Sequence, residues 1–240
     1  VWEKGWNENY NNFVKNNYDL DLLIPKFIRP NQLIRLNRRF INPSNKLFEY
    51  DFFRVFRYWL FEKYFIEFEN IYEFGCGTGM NLVELSKIYP NKNLYGSDFV
   101  PSSVKLVNKI SEAHNLNLSG FQFDMINPNY DIKINPNSII YTFGALEQLG
   151  SQTENMLQYL LTNKPKLIIH LEPTLELYDE NNLIDYLAIK FHKKRGYTSG
   201  YLPRLQELEK NGAIELVKIK RLEFGSLFME GFTYFIWKII

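Results

Sequence analysis

The segment that most restricts the fold is "IYEFGCGTGMNLVEL", residues 71–85. A short apolar run leads through Gly75, Gly77 and Gly79 into a stretch that places Leu82 and Leu85 on one side of a helical period. Glycines so closely spaced allow positive-φ turns and let a ligand come close to the backbone. Strand, glycine turn and helix in that order belong to an α/β sheet that binds its ligand at the carboxyl ends of the strands. Two phosphate-binding templates fit badly. The dinucleotide pattern G-x-G-x-x-G needs a third glycine where Met80 stands, and a P-loop needs Lys and then Ser or Thr after its last glycine.

From residue 70 onward strands and helices alternate. The strands expected are "IYEF", "NLYGSD", "LSGFQF", "NSIIYTF" and "KLIIHLE", then "AIELVKIKRLEF" and "FTYFIWKII" at the end. Between them, helical patterns follow the glycines up to Pro90, start at Pro101, and cover 153–161, 182–193 and 201–211. This order predicts a doubly wound α/β fold of Rossmann-like type, with a mostly parallel seven-stranded sheet closing on an antiparallel hairpin. Residues 1–67 differ in character, Asn-rich and then basic. They end in a 3.6-residue pattern that puts Phe48, Phe52, Phe56, Trp59 and Leu60 on one helical face. We read 1–67 as a helical extension capping the substrate, and 68–240 as the ligand-binding domain.

Composition narrows the function classes. A formal net charge of +1 argues against a protein held to nucleic acid by bulk electrostatics. With Cys76 as the only cysteine, disulfide scaffolds and cysteine zinc sites are excluded, and no metal is expected. The chain opens without a charged and then apolar leader and has no run of membrane-spanning length, so the expectation is a cytoplasmic protein with no membrane partner. Aromatic residues reach 17%, but together with abundant Asn, Lys and Ile this reflects A/T-rich codons more than a stacking surface.

The string Glu73-Phe74-Gly75-Cys76-Gly77-Thr78-Gly79 resembles motif I of the class I S-adenosylmethionine-dependent methyltransferases. Their cofactor carries a sulfonium and an ammonium but no pyrophosphate, so an acid at the strand end suits it. An acid at the tip of the second strand, Asp98, can accept both ribose hydroxyls. The resemblance implies that Asp124, after the third strand, takes the adenine amino group beside the Met125 backbone, and that Phe99 packs on the adenine. Its cofactor set is Glu73, Gly75, Cys76, Gly77, Gly79, Asp98, Phe99, Asp124, Met125 and Thr142, with S-adenosylhomocysteine as product. Cys76 reads as a small filler, and C5-pyrimidine chemistry through a cysteine adduct is excluded. The segment "YTFGALEQLG" lacks the Asx-Pro-Pro-aromatic signature of amino-methylating DNA enzymes and is similar to small-molecule methyltransferases, which makes Thr142, Phe143 and Glu147 pocket candidates or ordinary strand-end packing.

Catalytic residues are harder to read, because methyl transfer depends mostly on positioning. In "LIIHLEP", His170 and Glu172 share one face of a strand, so His170 is a candidate general base with its tautomer set by Glu172, or else a structural histidine under a loop. His192 and His114 are weaker candidates. Residues 26–57 carry eight Lys/Arg (26, 29, 35, 38, 39, 46, 54 and 57) against Glu49 and Asp51, and Lys193, Lys194 and Arg195 precede a Gly/Tyr/Ser segment that could form a lid. Both groups are either solvated faces or grips for an anionic acceptor. Arg195, Tyr197, Tyr201 and Glu147 form the expected acceptor set. The stretches "IRPNQLIRLNRRF" and 170–215 also resemble methyltransferases of bacterial surface-polysaccharide clusters. That resemblance implies an O-methyltransferase acting on a small or glycan-linked, anionic acceptor such as a capsular sugar or phosphoramidate. An RNA or protein acceptor, and a non-catalytic S-adenosylmethionine-binding scaffold, remain as alternatives.

Overall fold

The protein is described from a computed structural model covering residues 2–24 and 28–240. In chain order, helix α1 (Trp2–Lys15) leads through a 3-10 turn at Leu20–Leu23 to a hairpin of β1 (Ile34–Leu36) and β2 (Arg39–Ile41), and then to α2 (Phe48–Tyr64). Next come β3 (Asn70–Phe74), α3 (Met80–Ile88), β4 (Asn93–Asp98), α4 (Pro101–His114), β5 (Leu118–Gln122) and β6 (Ser138–Phe143). The chain then forms α5 (Glu154–Asn163), β7 (Leu167–Leu171), α6 (Leu183–Arg195), α7 (Tyr201–Lys210), β8 (Ile214–Lys220), β9 (Phe224–Gly225) and β10 (Tyr234–Ile239).

The main sheet has seven strands in the order β5-β4-β3-β6-β7-β10-β8. β10 runs antiparallel to both neighbours, and all the other pairs are parallel. This is the sheet the sequence predicts. Helices cover both faces, so β3, β6 and β7 are buried almost throughout and read as continuous apolar runs without alternation. The chain winds outward from β3 in one direction and from β6 in the other. The crevice between the carboxyl ends of β3 and β6 is therefore the switch point where such sheets take ligands. Among the described residues no helix is long and apolar enough to cross a membrane.

Three features depart from the sequence reading. The first segment is not purely helical, because β1 pairs with β2 and also with β9, forming a small second sheet. The turn between β1 and β2 puts Asn37 and Arg38 at φ 48° and 57°, the geometry a two-residue hairpin requires, but Arg is not the residue that signals it. In α2 the buried stripe is Glu49, Phe53, Phe56, Arg57, Leu60 and Phe61, while Trp59 is exposed. That helix packs Phe53 edge-on to Phe143, with ring centroids 4.8 Å apart, and stacks Phe52 on Phe224 at 3.7 Å. Two contact directions set the stripe, and one of them draws charged residues inward.

The expected next-to-last strand, "AIELVKIKRLEF", also breaks, at Arg221–Glu223, where Arg221 turns inward. Its guanidinium donates to both oxygens of Asp185, at 2.8 and 2.6 Å, and to both oxygens of Glu230, at 2.6 Å each. Asp185 and Glu230 are almost wholly buried. Their joint pull outweighs the burial penalty on Arg221 and raises its pKa. Arg35, also buried, donates to the carbonyls of Leu227 and Ile184, and Arg38 bonds Glu223 at 3.1 Å. Of the basic group in residues 26–57, Arg35, Arg38 and Arg57 therefore make internal contacts, while Arg29, Arg39, Lys46 and Arg54 are exposed; Lys26 lies outside the described residues.

Replacing Arg221 by Met leaves two buried carboxylates without their cation. The expected loss is about 3–5 kcal/mol of unfolding free energy, read from urea denaturation. A loss below about 1 kcal/mol would show that the network contributes little.

Candidate functional site

The glycine loop follows β3 and turns into α3 with Gly75, Gly77 and Gly79 all at positive φ, from 53° to 75°. These positions are also crowded. A Cβ on Gly75 would lie 2.3 Å from Ala145 Cβ, so the loop after β6 closes directly onto the loop after β3. Gly75 and Cys76 donate their N–H groups to the Ser97 carbonyl, which ties the turn to the end of β4.

Asp98 stands at the tip of β4. Its carboxylate accepts the N–H of Gly77 at 3.1 Å and of Val100 at 3.0 Å, while burial raises its pKa. Phe99 beside it is half exposed and presents a free ring face. Asp124, beyond β5, accepts the N–H of Ile126 at 2.8 Å and the Asn127 amide at 3.1 Å. The buried Met125 brings its Cε to 3.6 Å from the Cβ position of Gly75. Gly77 is thus tied to Asp98 and Gly75 approached by Met125 at the carboxyl ends of the strands, with Phe99 and Asp124 next to Asp98 and Met125 in the chain. Glu73 is engaged elsewhere. Its carboxylate is buried beneath the loop, accepting the Asn81 amide at 2.6 Å and the Tyr141 hydroxyl at 3.0 Å, and burial pushes its pKa up to about 8. Cys76 is buried too, its Sγ 3.9 Å from Ser103 Oγ and its thiol pushed well above the ordinary range.

On the other half of the crevice, His170 lies in β7 and Glu172 directly follows that strand, and the two do not touch as a pair. His170 is fully buried, with Nδ1 2.9 Å from Thr142 Oγ1 and Nε2 3.3 Å from the Tyr201 hydroxyl. Burial lowers its pKa to about 3, so the ring is neutral throughout the physiological range. Thr142 lies between His170 and Glu172 and hydrogen-bonds the Glu172 carboxylate. Glu172 also accepts three successive N–H groups, of Ala145, Leu146 and Glu147, each at 3.1 Å. It therefore fixes the 3-10 turn Leu146–Leu149 in the loop after β6. Burial nevertheless pushes its pKa up to about 7 against those bonds.

Glu147 has a different environment. It is buried, its Oε1 accepts the Gln148 amide, and its Oε2 has no hydrogen-bond partner. Burial, and then the neighbouring Glu172, push its pKa up to about 8. Thr198, in the turn between α6 and α7, donates its N–H to the Glu147 carbonyl and its hydroxyl to the Leu146 carbonyl. Two clefts flank this contact. One is lined by Glu147, Glu172, Glu176, Thr198 and Tyr201, the other by Ser151, Leu175, His192, Lys193, Tyr197 and Ser199. The expected acceptor set is therefore divided, with Glu147 and Tyr201 on one side and Tyr197 on the other. Arg195 is exposed and donates to the Tyr197 hydroxyl at 3.3 Å. His114 bonds the Tyr18 carbonyl at the far end of α4.

Two further residues lie outside the expected set. Trp6 of α1 lies against Gly77, since a Cβ there would sit 3.0 Å from the indole. Glu49 of α2 is buried with an unpartnered Oε2, and burial pushes its pKa up to about 7. It sits one helical turn before Phe53, the residue that meets Phe143 at the end of β6. The spacing of 3, 6, 10 and 13 in α1 was the available cue for Trp6. Among the described residues no group of three or more His, Cys, Asp or Glu is placed to hold a metal ion.

No protein-family model and no curated protein matches the sequence. Solved structures match in fold. PigF with S-adenosylhomocysteine aligns with a TM-score of 0.56 at 15% identity, over 75% of this chain and 53% of that one, so the chain spans about half the length of PigF. A S-adenosylmethionine-dependent methyltransferase from Aquifex aeolicus aligns at 0.53 and 14% identity, over 77% and 89%. The 16S rRNA methyltransferase RmtF, in complex with S-adenosyl-L-homocysteine, aligns at 0.55 and 11% identity, over 100% and 76%. The fold is that of the class I methyltransferases.

Glu73 and Glu147 hold protons in the folded state up to about pH 8, whereas ordinary glutamates have lost theirs. Between about pH 6.5 and 8.5 the folded state binds more protons than the unfolded one, so stability falls as pH rises. His170 and His192, lowered by burial to about 3 and 4, act in the opposite direction only below that window. Urea denaturation across the window is expected to show the decline, and Glu147→Gln to flatten it; an unchanged slope would place the proton elsewhere.

Proposed function

We propose that the protein is an S-adenosylmethionine-dependent methyltransferase. The observation that carries this reading is the crevice at the switch point, where a glycine loop too crowded for side chains meets a carboxylate at each of two strand tips, Asp98 and Asp124. The residues fit the cofactor. Asp98 would receive the ribose hydroxyls, Asp124 the adenine amino group and Phe99 an adenine face, with Met125 beneath. The cofactor, when bound, supplies an electrophilic methyl group on a sulfonium. Glu73 is assigned a supporting role under the loop in place of a direct contact.

The acceptor is assigned to the clefts flanking the Glu147–Thr198 contact, at the carboxyl ends of β6 and β7. Glu147, whose Oε2 is unpartnered, is the candidate for taking a proton from an acceptor hydroxyl, a role open to it once it is ionised, above about pH 8. His170 has both nitrogens engaged and titrates far below neutrality, so it is a positioning residue that holds Thr142 and Tyr201. Lys193, Tyr197 and two serine hydroxyls suit a small or sugar-linked acceptor with an anionic group, in line with the resemblance to surface-polysaccharide enzymes. An RNA acceptor is disfavoured by the formal net charge of +1.

The test is calorimetric titration with S-adenosylmethionine, S-adenosylhomocysteine and NADH. Binding of the first two without the third supports the reading, and binding of NADH alone overturns it. Asp98→Ala is expected to weaken S-adenosylhomocysteine binding at least about tenfold, the loss of a charge-assisted contact of about 1.5 kcal/mol or more. Accumulation of S-adenosylhomocysteine only when an anionic sugar is added would identify the acceptor class.

A further inference from the structure

α1 lies along α4 and reaches across the glycine loop. Its inner side consists of residues at helical spacing. Glu3 accepts the Ser102 hydroxyl at 3.1 Å and approaches its N–H at 3.4 Å, in the first turn of α4, where a carboxylate is favoured. Trp6 covers Gly77. Tyr10 carries the Lys105 ammonium 4.3 Å from its ring centroid. Phe13 is fully buried and meets Tyr18 edge-on at 5.6 Å.

The two ends of this helix are held unequally. Its C-terminal half is anchored in the core by Phe13. The first turns rest on the exposed Glu3 and the half-buried Trp6, with Trp2 stacked on Trp6 at 6.2 Å. Gly5 lies within those turns, where glycine costs about 1 kcal/mol relative to alanine. Helical residues at an end are lost one at a time at low cost, so the first turns can lift while Phe13 stays in place.

Trp6 occupies surface that a ligand along the loop would need. A Cβ on Gly77 would already lie 3.0 and 3.2 Å from two indole carbons, so no layer of ligand atoms fits between ring and loop. We propose that the first turns of α1 are a lid that competes with the cofactor for the Gly77 face, with Glu3 on Ser102 as its latch. The inference rests on the cofactor reading above. Only the lifted population binds, so the apparent affinity is reduced by the fraction of chains with the lid open.

The experiment is titration of the full chain, Trp6→Ala and Glu3→Gln with S-adenosylhomocysteine, paired with amide hydrogen exchange over residues 2–7. Both variants are expected to bind about threefold or more tighter than the parent, and saturation of the parent to speed exchange in the first turns. Equal or weaker binding by both variants, or slower exchange on saturation, overturns the lid and makes Trp6 a fixed wall of the site. Glu3→Gln is an exposed change and keeps the test valid should Trp6→Ala fold poorly. Absence of binding by all three proteins overturns the lid and the cofactor reading together, whereas parent binding with unaltered variants removes only the lid.

Discussion

The glycine loop stands where it does because a carboxyl group is buried beneath it. Glu73, at the end of β3, is satisfied by Asn81 from α3 and Tyr141 from β6, and Asn81 in turn accepts from Arg57 of α2. Four elements meet at this point. Burial holds the Glu73 proton to about pH 8, so the group acts at neutral pH as a neutral hydrogen-bonding knot. Removing a partner would strand a polar group in the interior, at a cost of about 1–3 kcal/mol. The network thus sets the height of the loop, and with it the distance between Gly75 and Ala145 across the crevice.

Much of this was legible in the sequence. The strand-helix alternation and the antiparallel ending follow from local patterns, because parallel strands buried on both faces must be apolar runs; Asp98 is read at the tip of its strand, whereas Asp124 and Met125 rest on the family resemblance. What the sequence could not convey depends on partners distant in the chain. The apolar face read for α2 holds for Phe48, Phe52, Phe56 and Leu60, which pack on the core, but not for Trp59, and it omits Arg57, buried beside Asn81, a residue that a hydrophobicity pattern treats as surface. The β1–β2 hairpin was missed because its positive-φ positions hold Asn and Arg, and its second neighbour, β9, lies almost two hundred residues away.

The pairing of His170 with Glu172 shows the same division. Strand periodicity puts both on one face, although Glu172 directly follows β7. It is silent about Thr142 on the adjacent strand, Tyr201 on α7, and the three backbone amides that engage the Glu172 carboxylate. Glu147 emerges as the freer carboxylate only once hydrogen-bond partners are counted, since its distinguishing property is an oxygen without one.

Cys76 has a consequence for the chain's own chemical survival. The alkylating cofactor proposed for this site would meet any reactive sulfur in its path, and the only thiol of the chain lies within the glycine loop itself. Nucleophilicity belongs to the thiolate. Burial, together with the nearby carboxyls of Glu73 and Asp98, keeps Cys76 protonated. The loop can thus carry sulfur as filler with little exposure to self-alkylation.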